Sequence, residues 1–319
     1  MLVDTLQAYF EGRKELFEGL KIMDLEKEWK QYPVIRFDMS RGGATANEVK
    51  AYLDRTFDVY EQLYGIHIKP TDSLGNRFDL IIKTAYEQTG LKVAILIDEY
   101  DSPLQHSWKT PEHEGCTEVY RSVFSILKAD DTYQRFVFIT GITKFTQISL
   151  FSVLNNLTNI SFLPEYAAIC GITEEIGENF KPELERMAEV NEWTLQQTHD
   201  NLKDYYDGYH FSRRNMVDIY NPFSLLNALD AQDLSCFWVS SGATSMLPKF
   251  VDNMELRLRN FENCPILRKT LESSDVINGG AELFLYQTGY LTIKSSDEFG
   301  YFLGFPNQEV KQAIGLGNY

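Results

Sequence analysis

The sequence predicts an α/β protein: a parallel sheet with flanking helices, followed by a mainly helical region that ends in a winged-helix-like hairpin. Three short apolar runs rich in β-branched or aromatic residues, at 34–37, 93–97 and 135–139, predict strands, and helical patterns lie between them. Strands that alternate with helices are typical of parallel sheets with crossover connections. The pattern changes after residue 150, so we expect an α/β core over 1–165 and a helical region over 166–319.

Composition narrows the class of protein. The 319 residues are 44% hydrophobic and 13% aromatic, which fits a packed globular chain, and the formal net charge of −16 argues against a large nucleic-acid footprint. The four cysteines are far apart and form no C-x-x-C pair, so neither a zinc site nor a disulfide framework is indicated. No apolar run approaches the length of a membrane span, and no leader pattern opens the chain, so we expect a cytoplasmic protein.

The strand predicted at 93–97 is the most informative stretch. It is apolar throughout and is followed directly by Asp98 and Glu99. Open α/β sheets bind ligands at the carboxyl ends of their strands, and in nucleotide hydrolases an apolar strand followed by Asp-Glu forms the Walker B element. There the Asp holds Mg²⁺ and the Glu polarises the attacking water. The alternative at this point is a buried strand that runs into a solvated acidic turn.

The strand at 34–37 ends in Asp38 and Ser40, before the glycine-rich loop 41–45. Neither G-x-x-x-x-G-K-[ST] nor G-x-G-x-x-G occurs in this loop, so it is not predicted to be a P-loop. We expect a strand-to-helix turn capped by Thr45 or Asn47, leading into helices over 47–64 and 74–89.

The segment after Asp101 contains several potential metal ligands. Pro103 is expected to prevent immediate continuation into a helix, and a polar loop is predicted instead. The loop would contain His106, Glu112, His113, Glu114 and Cys116. Their spacing is irregular, which favours a solvated loop over a metal site.

The third predicted strand ends in polar residues that could face a nucleotide. Thr140 lies where nucleotide hydrolases of this type place the sensor 1 residue, and Thr143 and Lys144 lie in the following turn. The alternative is that Thr140 only caps the end of the strand.

The second half is predicted to be mainly helical, with helices over 180–206, 221–229 and 236–272. An aromatic turn at 205–211 separates the first two of these helices, and Arg213 and Arg214 follow it. Such aromatic clusters usually pack one subdomain on another, and a lid arginine could come from the Arg pair, although a surface turn is the simpler role.

Two β-type runs, at 283–293 and 301–305, predict the terminal hairpin. Helices followed by such a hairpin suggest a winged-helix-like module, but the surface charge indicates no DNA binding.

Several motifs together resemble one bacterial family, the AAA-ATPase-like proteins, whose full-length members join an ATPase module to a C-terminal nuclease-like domain of the PD-(D/E)xK class. The motifs are Ala8-Tyr-Phe-Glu-Gly12, Tyr32-Pro-Val-Ile, Leu96-Ile-Asp-Glu-Tyr-Asp-Ser-Pro-Leu104, Phe138-Ile-Thr-Gly-Ile-Thr-Lys-Phe145, Leu154-Asn-Asn-Leu, Tyr206-Asp-Gly-Tyr-His-Phe211, Tyr220-Asn-Pro-Phe-Ser224 and Thr288-Gly-Tyr-Leu-Thr292.

The resemblance implies a P-loop NTPase-like fold that uses ATP and Mg²⁺, with Asp98 as the metal residue of Walker B and Glu99 as its catalytic partner. It implies Thr140 as a sensor, with Thr143 and Lys144 close to the nucleotide. Family members carry a P-loop just before the helix that ends near Phe10, and no substitute for it occurs in this sequence. No D…E-x-K set follows residue 310 either.

The function expected from these residues is that of an ATPase-like module of a multidomain bacterial protein. Without a P-loop in the sequence, we expect ATP binding to be weak or absent in this chain. The alternative is a non-catalytic interaction or regulatory module derived from an ATPase. Expected partners are nucleotide and, through self-association or another contact, protein; neither a membrane nor a nucleic-acid partner is expected.

Overall fold

A computed structural model describes residues 1–142, 156–240, 261–273 and 280–314. The chain divides into two compact units, Met1–Thr158 and Asn159–Tyr319. Within the described ranges, no helix is both long enough and apolar enough to cross a membrane.

The first unit is an α/β unit with a small parallel sheet. Its helices are α1 (Leu2–Phe10), α2 (Ile22–Leu25), α3 (Ala46–Tyr64), α4 (Leu74–Thr89), α5 (Ser102–Ser107), α6 (His113–Phe124) and α7 (Ile126–Ala129). Its strands are β1 (Val34–Asp38), β2 (Val93–Asp98) and β3 (Gln134–Ile139), and short 3₁₀ turns occupy Lys14–Phe17, Met39–Arg41 and Asp131–Tyr133.

The sheet has the order β1-β2-β3, and both neighbouring pairs are parallel, as the alternation of strands and helices predicted. Helices cover both faces of the sheet. On one face Phe37 packs against Phe57, Phe78 and Phe124, which belong to α3, α4 and α6. On the other face α1 packs against the sheet, for example through the Phe10 ring, which lies 5.1 Å from the ring of Phe136. Because β2 is the middle strand, the side chains of Val93 to Ile97 are all buried.

Local sequence determines where α3 begins and ends. Thr45 caps its N-terminus, since its hydroxyl accepts a hydrogen bond from the Glu48 amide and the Glu48 carboxylate accepts one from the Thr45 amide. The C-terminus ends at Gly65, whose φ of +64° is the left-handed conformation that glycine adopts without strain. The prediction of a capped strand-to-helix turn at Thr45 is confirmed.

The prediction of a polar loop after Asp101 is wrong. Helix α5 begins at Ser102, with Pro103 in its first turn, where the missing amide hydrogen of proline breaks no helical hydrogen bond. A second helix, α6, begins at His113 and buries Cys116 completely. Proline therefore starts a helix here instead of preventing one.

The second unit combines a helical layer with a small antiparallel sheet. Its helices are α8 (Ile176–Asn179), α9 (Lys181–Val190), α10 (Leu195–Tyr206), α11 (Pro222–Ala231), α12 (Phe237–Ser240), α13 (Arg268–Ser273), α14 (Gly280–Gln287) and α15 (Gln308–Ala313), with a 3₁₀ turn at Pro164–Tyr166. Its strands are β4 (Cys264–Leu267), β5 (Thr292–Ser296) and β6 (Gly300–Gly304), in the order β4-β6-β5.

The terminal hairpin is present as β5 and β6, but the predicted strand at 283–293 is largely wrong because its first half forms the helix α14. Strand β4 lies in a segment for which helix was predicted. A short apolar run is compatible with either state, and here neighbouring elements decide it. The winged-helix character of the module stays a prediction.

Candidate functional site at the carboxyl edge of the parallel sheet

The predicted Walker B residues lie at the carboxyl edge of the parallel sheet. Asp98 ends the middle strand β2 and is in register with Asp38, which ends β1. Glu99 follows Asp98 directly, and Thr140 follows the last residue of β3. The parallel arrangement therefore brings side chains from three distant parts of the sequence to one edge, which is where open α/β sheets bind ligands.

The backbone turns sharply at Glu99. Its φ is +47°, a left-handed conformation that residues other than glycine seldom adopt. Two backbone hydrogen bonds hold the turn against the next strand: the Thr140 amide donates to the Ile97 carbonyl at 2.9 Å, and the Tyr100 amide donates to the Thr140 carbonyl at 3.0 Å. Strained backbone of this kind persists where the surroundings impose it, often at functional sites.

Buried contacts behind the edge fix the turn in place. The Tyr120 hydroxyl donates to the Tyr100 carbonyl at 2.7 Å. The buried Asp101 carboxylate accepts hydrogen bonds from the Ile142 amide at 3.2 Å and from the Gln105 side chain. Asp101 is thus a structural carboxylate, since its oxygens are used inside the protein and it is only 1% exposed.

The negative charge of Asp98 is only partly balanced by neighbouring residues, so it can attract a cation. Burial raises the pKa of its carboxyl group, the Arg36 charge lowers it, and the nearby Asp38 carboxylate raises it again. Among the described residues, the one basic side chain within ion-pair distance is Arg36, whose Nη2 lies 3.9 Å from Oδ2. Arg36 is held on the other side by Asp4 at 2.7 Å and by Gln7 at 2.9 Å. Its charge is therefore shared, and Asp98 is only partly neutralised.

Glu99 carries an exposed side chain surrounded by negative charge. Its pKa is raised first by partial burial and then by repulsion from Asp98, Asp38 and Asp101. A raised pKa makes a carboxylate a stronger proton acceptor, which is the property required of a general base.

Asp38 is the site residue that sequence reasoning did not assign. Its carboxylate accepts a hydrogen bond from the Ser40 hydroxyl at 2.5 Å and pairs with Arg41 at 3.0 Å. The signal was present, because the strand 34–37 ends in this acidic residue just as 93–97 ends in Asp98, and parallel strands bring such ends together.

The donor set at this edge suits a hard cation, because carboxylate oxygens are the ligands that Mg²⁺ prefers. The fit is incomplete, however. Within the described ranges, three carboxylates whose oxygens all lie within 4.8 Å of one another occur in the second unit and not at this edge. Asp98 and its neighbours can therefore supply one or two direct ligands, and nucleotide and water would have to supply the others.

The other predicted site residues are placed as follows. Thr143 and Lys144, predicted to lie close to the nucleotide, are outside the described residues. Arg213 and Arg214 belong to the second unit, in the segment that follows the aromatic turn.

Comparison with known proteins gives two matches. The sequence model of the AAA-ATPase_like family, described as "Predicted AAA-ATPase", matches residues 1–151. The chain is also similar to a protein of Azotobacter chroococcum mcd 1 described as "Uncharacterized protein in vnfD 5'region", with 29% identity over 321 residues. That similarity covers 98% of this chain, which spans 60% of the relative's length. No solved structure matches the chain. The part of the chain that carries the parallel sheet and its acidic edge is thus similar to the predicted AAA-ATPases.

Proposed function

We propose that the chain is the ATPase-like module of a larger protein and that its nucleotide site lies at the carboxyl edge of the parallel sheet. The observation that carries the proposal is the placement of Asp98 and Glu99 at the end of the middle strand, in a segment matched by the predicted AAA-ATPase family. Asp38 and Thr140, at the ends of the two neighbouring strands, complete the edge.

Each residue has a distinct role in this proposal. Asp98 binds the Mg²⁺ of Mg-ATP. Arg36 keeps the Asp98 carboxylate oriented through its ion pair. Glu99 accepts the proton of the attacking water, which its raised pKa favours. Thr140 offers a hydroxyl on the adjacent strand end. Bound Mg²⁺ would neutralise the phosphate charge that develops during hydrolysis.

We also propose that residues 1–319 by themselves bind Mg-ATP weakly. The P-loop supplies most of the triphosphate contacts through its backbone amides and lysine, and the sequence contains no G-x-x-x-x-G-K-[ST]. The acidic edge alone repels a nucleotide that arrives without its metal. Thr143 and Lys144 could add polar contacts near the nucleotide, but a single lysine does not replace a phosphate-binding loop.

The test separates metal binding from chemistry. Mg-ATP binding is measured by calorimetry, and phosphate release is measured at millimolar ATP, for the wild type, Asp98→Asn and Glu99→Gln. We expect Asp98→Asn to abolish the Mg²⁺-dependent part of binding, and Glu99→Gln to retain binding while losing any hydrolysis. Glu87→Gln, at an exposed glutamate on α4, is the matched control and should change neither.

Two results would contradict the proposal. Hydrolysis that is unchanged in Glu99→Gln would remove this residue from the reaction. Mg-ATP binding that is equal in the wild type and Asp98→Asn would place the nucleotide away from the sheet edge.

A further inference from the structure

A cavity of about 270 Å³ in the second unit is lined by charged residues at the aromatic turn. Lys203 and Asp207 reach it from the end of α10, Asp218 from the segment before α11, and Lys294 from β5. Gly208 lies at its wall with a φ of +88°, and a Cβ there would collide with the Pro306 carbonyl. Glycine at 208 thus allows close approach of the two segments that bound the cavity.

Asp207 is the unexplained residue of this cavity. Its side chain is 1% exposed, and neither carboxylate oxygen has a hydrogen-bond partner. Burial raises the pKa of Asp207 to about 6, although the adjacent Gly208 amide and the Lys203 charge lower it, and the Asp218 charge raises it further. A buried carboxylate without a hydrogen-bond partner is costly, so such a group in a native protein indicates an ordered water, a bound ion or a chemical role.

Two other carboxylates face Asp207. Oxygens of Glu174, Asp207 and Asp218 all lie within 4.8 Å of one another. Oxygen ligands around a single Ca²⁺ sit about 2.3–2.6 Å from the ion, so neighbouring ligands lie within about 5 Å of each other. The spacing of the three carboxylates is therefore that of a metal-binding set.

In this structure the Lys203 ammonium lies beside all three carboxylates. It pairs with Glu174, lies 3.3 Å from Asp218 and lies 4.0 Å from Asp207. One ammonium thus faces three carboxylates and is too far from Asp207 to donate a hydrogen bond to it. The Lys203 side chain is 38% exposed, so it can turn toward water when another cation takes its place.

The surroundings favour a hard cation over zinc. His210 is already engaged on both ring nitrogens: Nε2 lies 2.7 Å from Asp218 and Nδ1 lies 2.9 Å from the Ile293 carbonyl. The contact with His210 restrains the Asp218 carboxylate, as hydrogen-bonding groups behind metal ligands commonly do. Burial raises the pKa of Tyr220, the charges of Asp207, Glu174 and Asp218 raise it further, and its buried hydroxyl has no hydrogen-bond partner.

We propose that Glu174, Asp207 and Asp218 bind a divalent cation with oxygen ligands, and that the ion displaces the Lys203 ammonium from between the three carboxylates. Calcium is the preferred ion, because the three ligands come from separate segments and Ca²⁺ tolerates irregular geometry, whereas Mg²⁺ requires a near-octahedral site. The site is independent of the nucleotide site proposed for the first unit.

The experiment is calorimetric titration of the full chain with Ca²⁺ and with Mg²⁺. The titration is repeated in Asp98→Asn, which removes any cation binding at the sheet edge of the first unit. We expect one Ca²⁺ to bind with a Kd of roughly 10⁻⁴–10⁻³ M, the range of weak calcium sites. Lys203→Met should tighten binding at least about tenfold, because the competing charge is gone, and Asp207→Asn should weaken it at least about tenfold.

Two further variants make the titration specific. Glu174→Gln changes an exposed ligand without altering the core, so it should weaken Ca²⁺ binding even if Asp207→Asn affects folding. Asp204→Asn is the matched control, since Asp204 lines the same cavity from the same helix but is not one of the three ligands. It should leave the affinity unchanged.

The proposal is overturned if neither the wild type nor Lys203→Met binds Ca²⁺ or Mg²⁺ up to about 10 mM. In that case Lys203 would be the permanent counter-ion of the cluster. It is also overturned if Asp207→Asn and Glu174→Gln bind as well as Asp204→Asn does, or if the Asp98→Asn background alone abolishes binding.

Discussion

Replacement of Arg77 should destabilise the first unit severely. Arg77 lies on α4, is 6% exposed, and pairs with the equally buried Glu61 of α3 through two hydrogen bonds of 2.7 and 2.9 Å. It also reaches the more exposed Asp54 and Asp58 at 2.6 and 2.8 Å. The arginine therefore joins the two helices that pack on one face of the sheet.

The expected magnitude follows from burial. In Arg77→Met the Glu61 carboxylate stays buried without its partner, which costs about 3–5 kcal/mol of unfolding free energy. Loss of the pairs with Asp54 and Asp58 adds about 0–1 kcal/mol, because both carboxylates are more than half exposed. In the double variant Arg77→Met/Glu61→Leu no buried charge remains, so most of the lost stability should return.

The assay is urea denaturation followed by circular dichroism, in which the transition of the first unit should move to lower urea. Arg55→Met, at an exposed arginine on α3, is the control and should change the unfolding free energy by about 0.5 kcal/mol or less. The reasoning is refuted if Arg77→Met costs no more than the control, or if the double variant is less stable than the single one.

Two other substitutions test the surroundings of the sheet. Burial, and then repulsion from Asp79, raise the pKa of Asp130 from 3.8 to about 6. The folded state therefore takes up a proton between about pH 4 and pH 6, and stability is lost as pH rises through that window. Asp130→Asn should show little difference from the wild type in melting temperature below pH 4 and a gain above pH 6; a constant difference at all pH values would contradict the shift. A Cβ at Gly141 would overlap the Asp101 carboxylate, so Gly141→Ala should cost about 1–3 kcal/mol in thermal unfolding, and an unchanged melting temperature would show that the turn can adjust.

The parallel sheet could be predicted from the sequence because local signals and tertiary packing agree there. The run 93–97 is apolar at every position, is short and is rich in β-branched residues, as expected of a strand covered on both faces, and β2 is that strand. Thr45 and Glu48 form a capping box that fixes the start of α3 without a tertiary partner.

The prediction was poorest where local propensity is ambiguous. The run that begins at residue 283 is apolar enough for a strand, yet Gly280–Gln287 is a helix. The strand Cys264–Leu267 contains a proline and is set by its pairing with β6, which no local pattern reveals. Pro103 was interpreted as a helix breaker, although proline in the first helical turn favours helix initiation.

The candidate sites differ in the same way. Asp98 and Glu99 could be proposed as candidates because they are contiguous in sequence and follow a recognisable strand. The carboxylates Glu174, Asp207 and Asp218 are separated by 33 and 11 residues in the sequence. The bridges Tyr209–Ile219 and Ile172–Tyr220 bring their segments together. Sequence spacing carries no signal for such a cluster, and the aromatic turn at 205–211, which contains Asp207, was interpreted only as a packing element.

Calorimetric titration of residues 1–319 with Mg-ATP, in the wild type and in Asp98→Asn, tests the proposed nucleotide site most directly. We expect a Kd weaker than about 100 μM in the wild type, with Mg²⁺-dependent binding that Asp98→Asn removes. Low-micromolar affinity would contradict the weak binding expected without a phosphate-binding loop, and affinity that is the same in Asp98→Asn would show that the acidic edge of the sheet is not the nucleotide site.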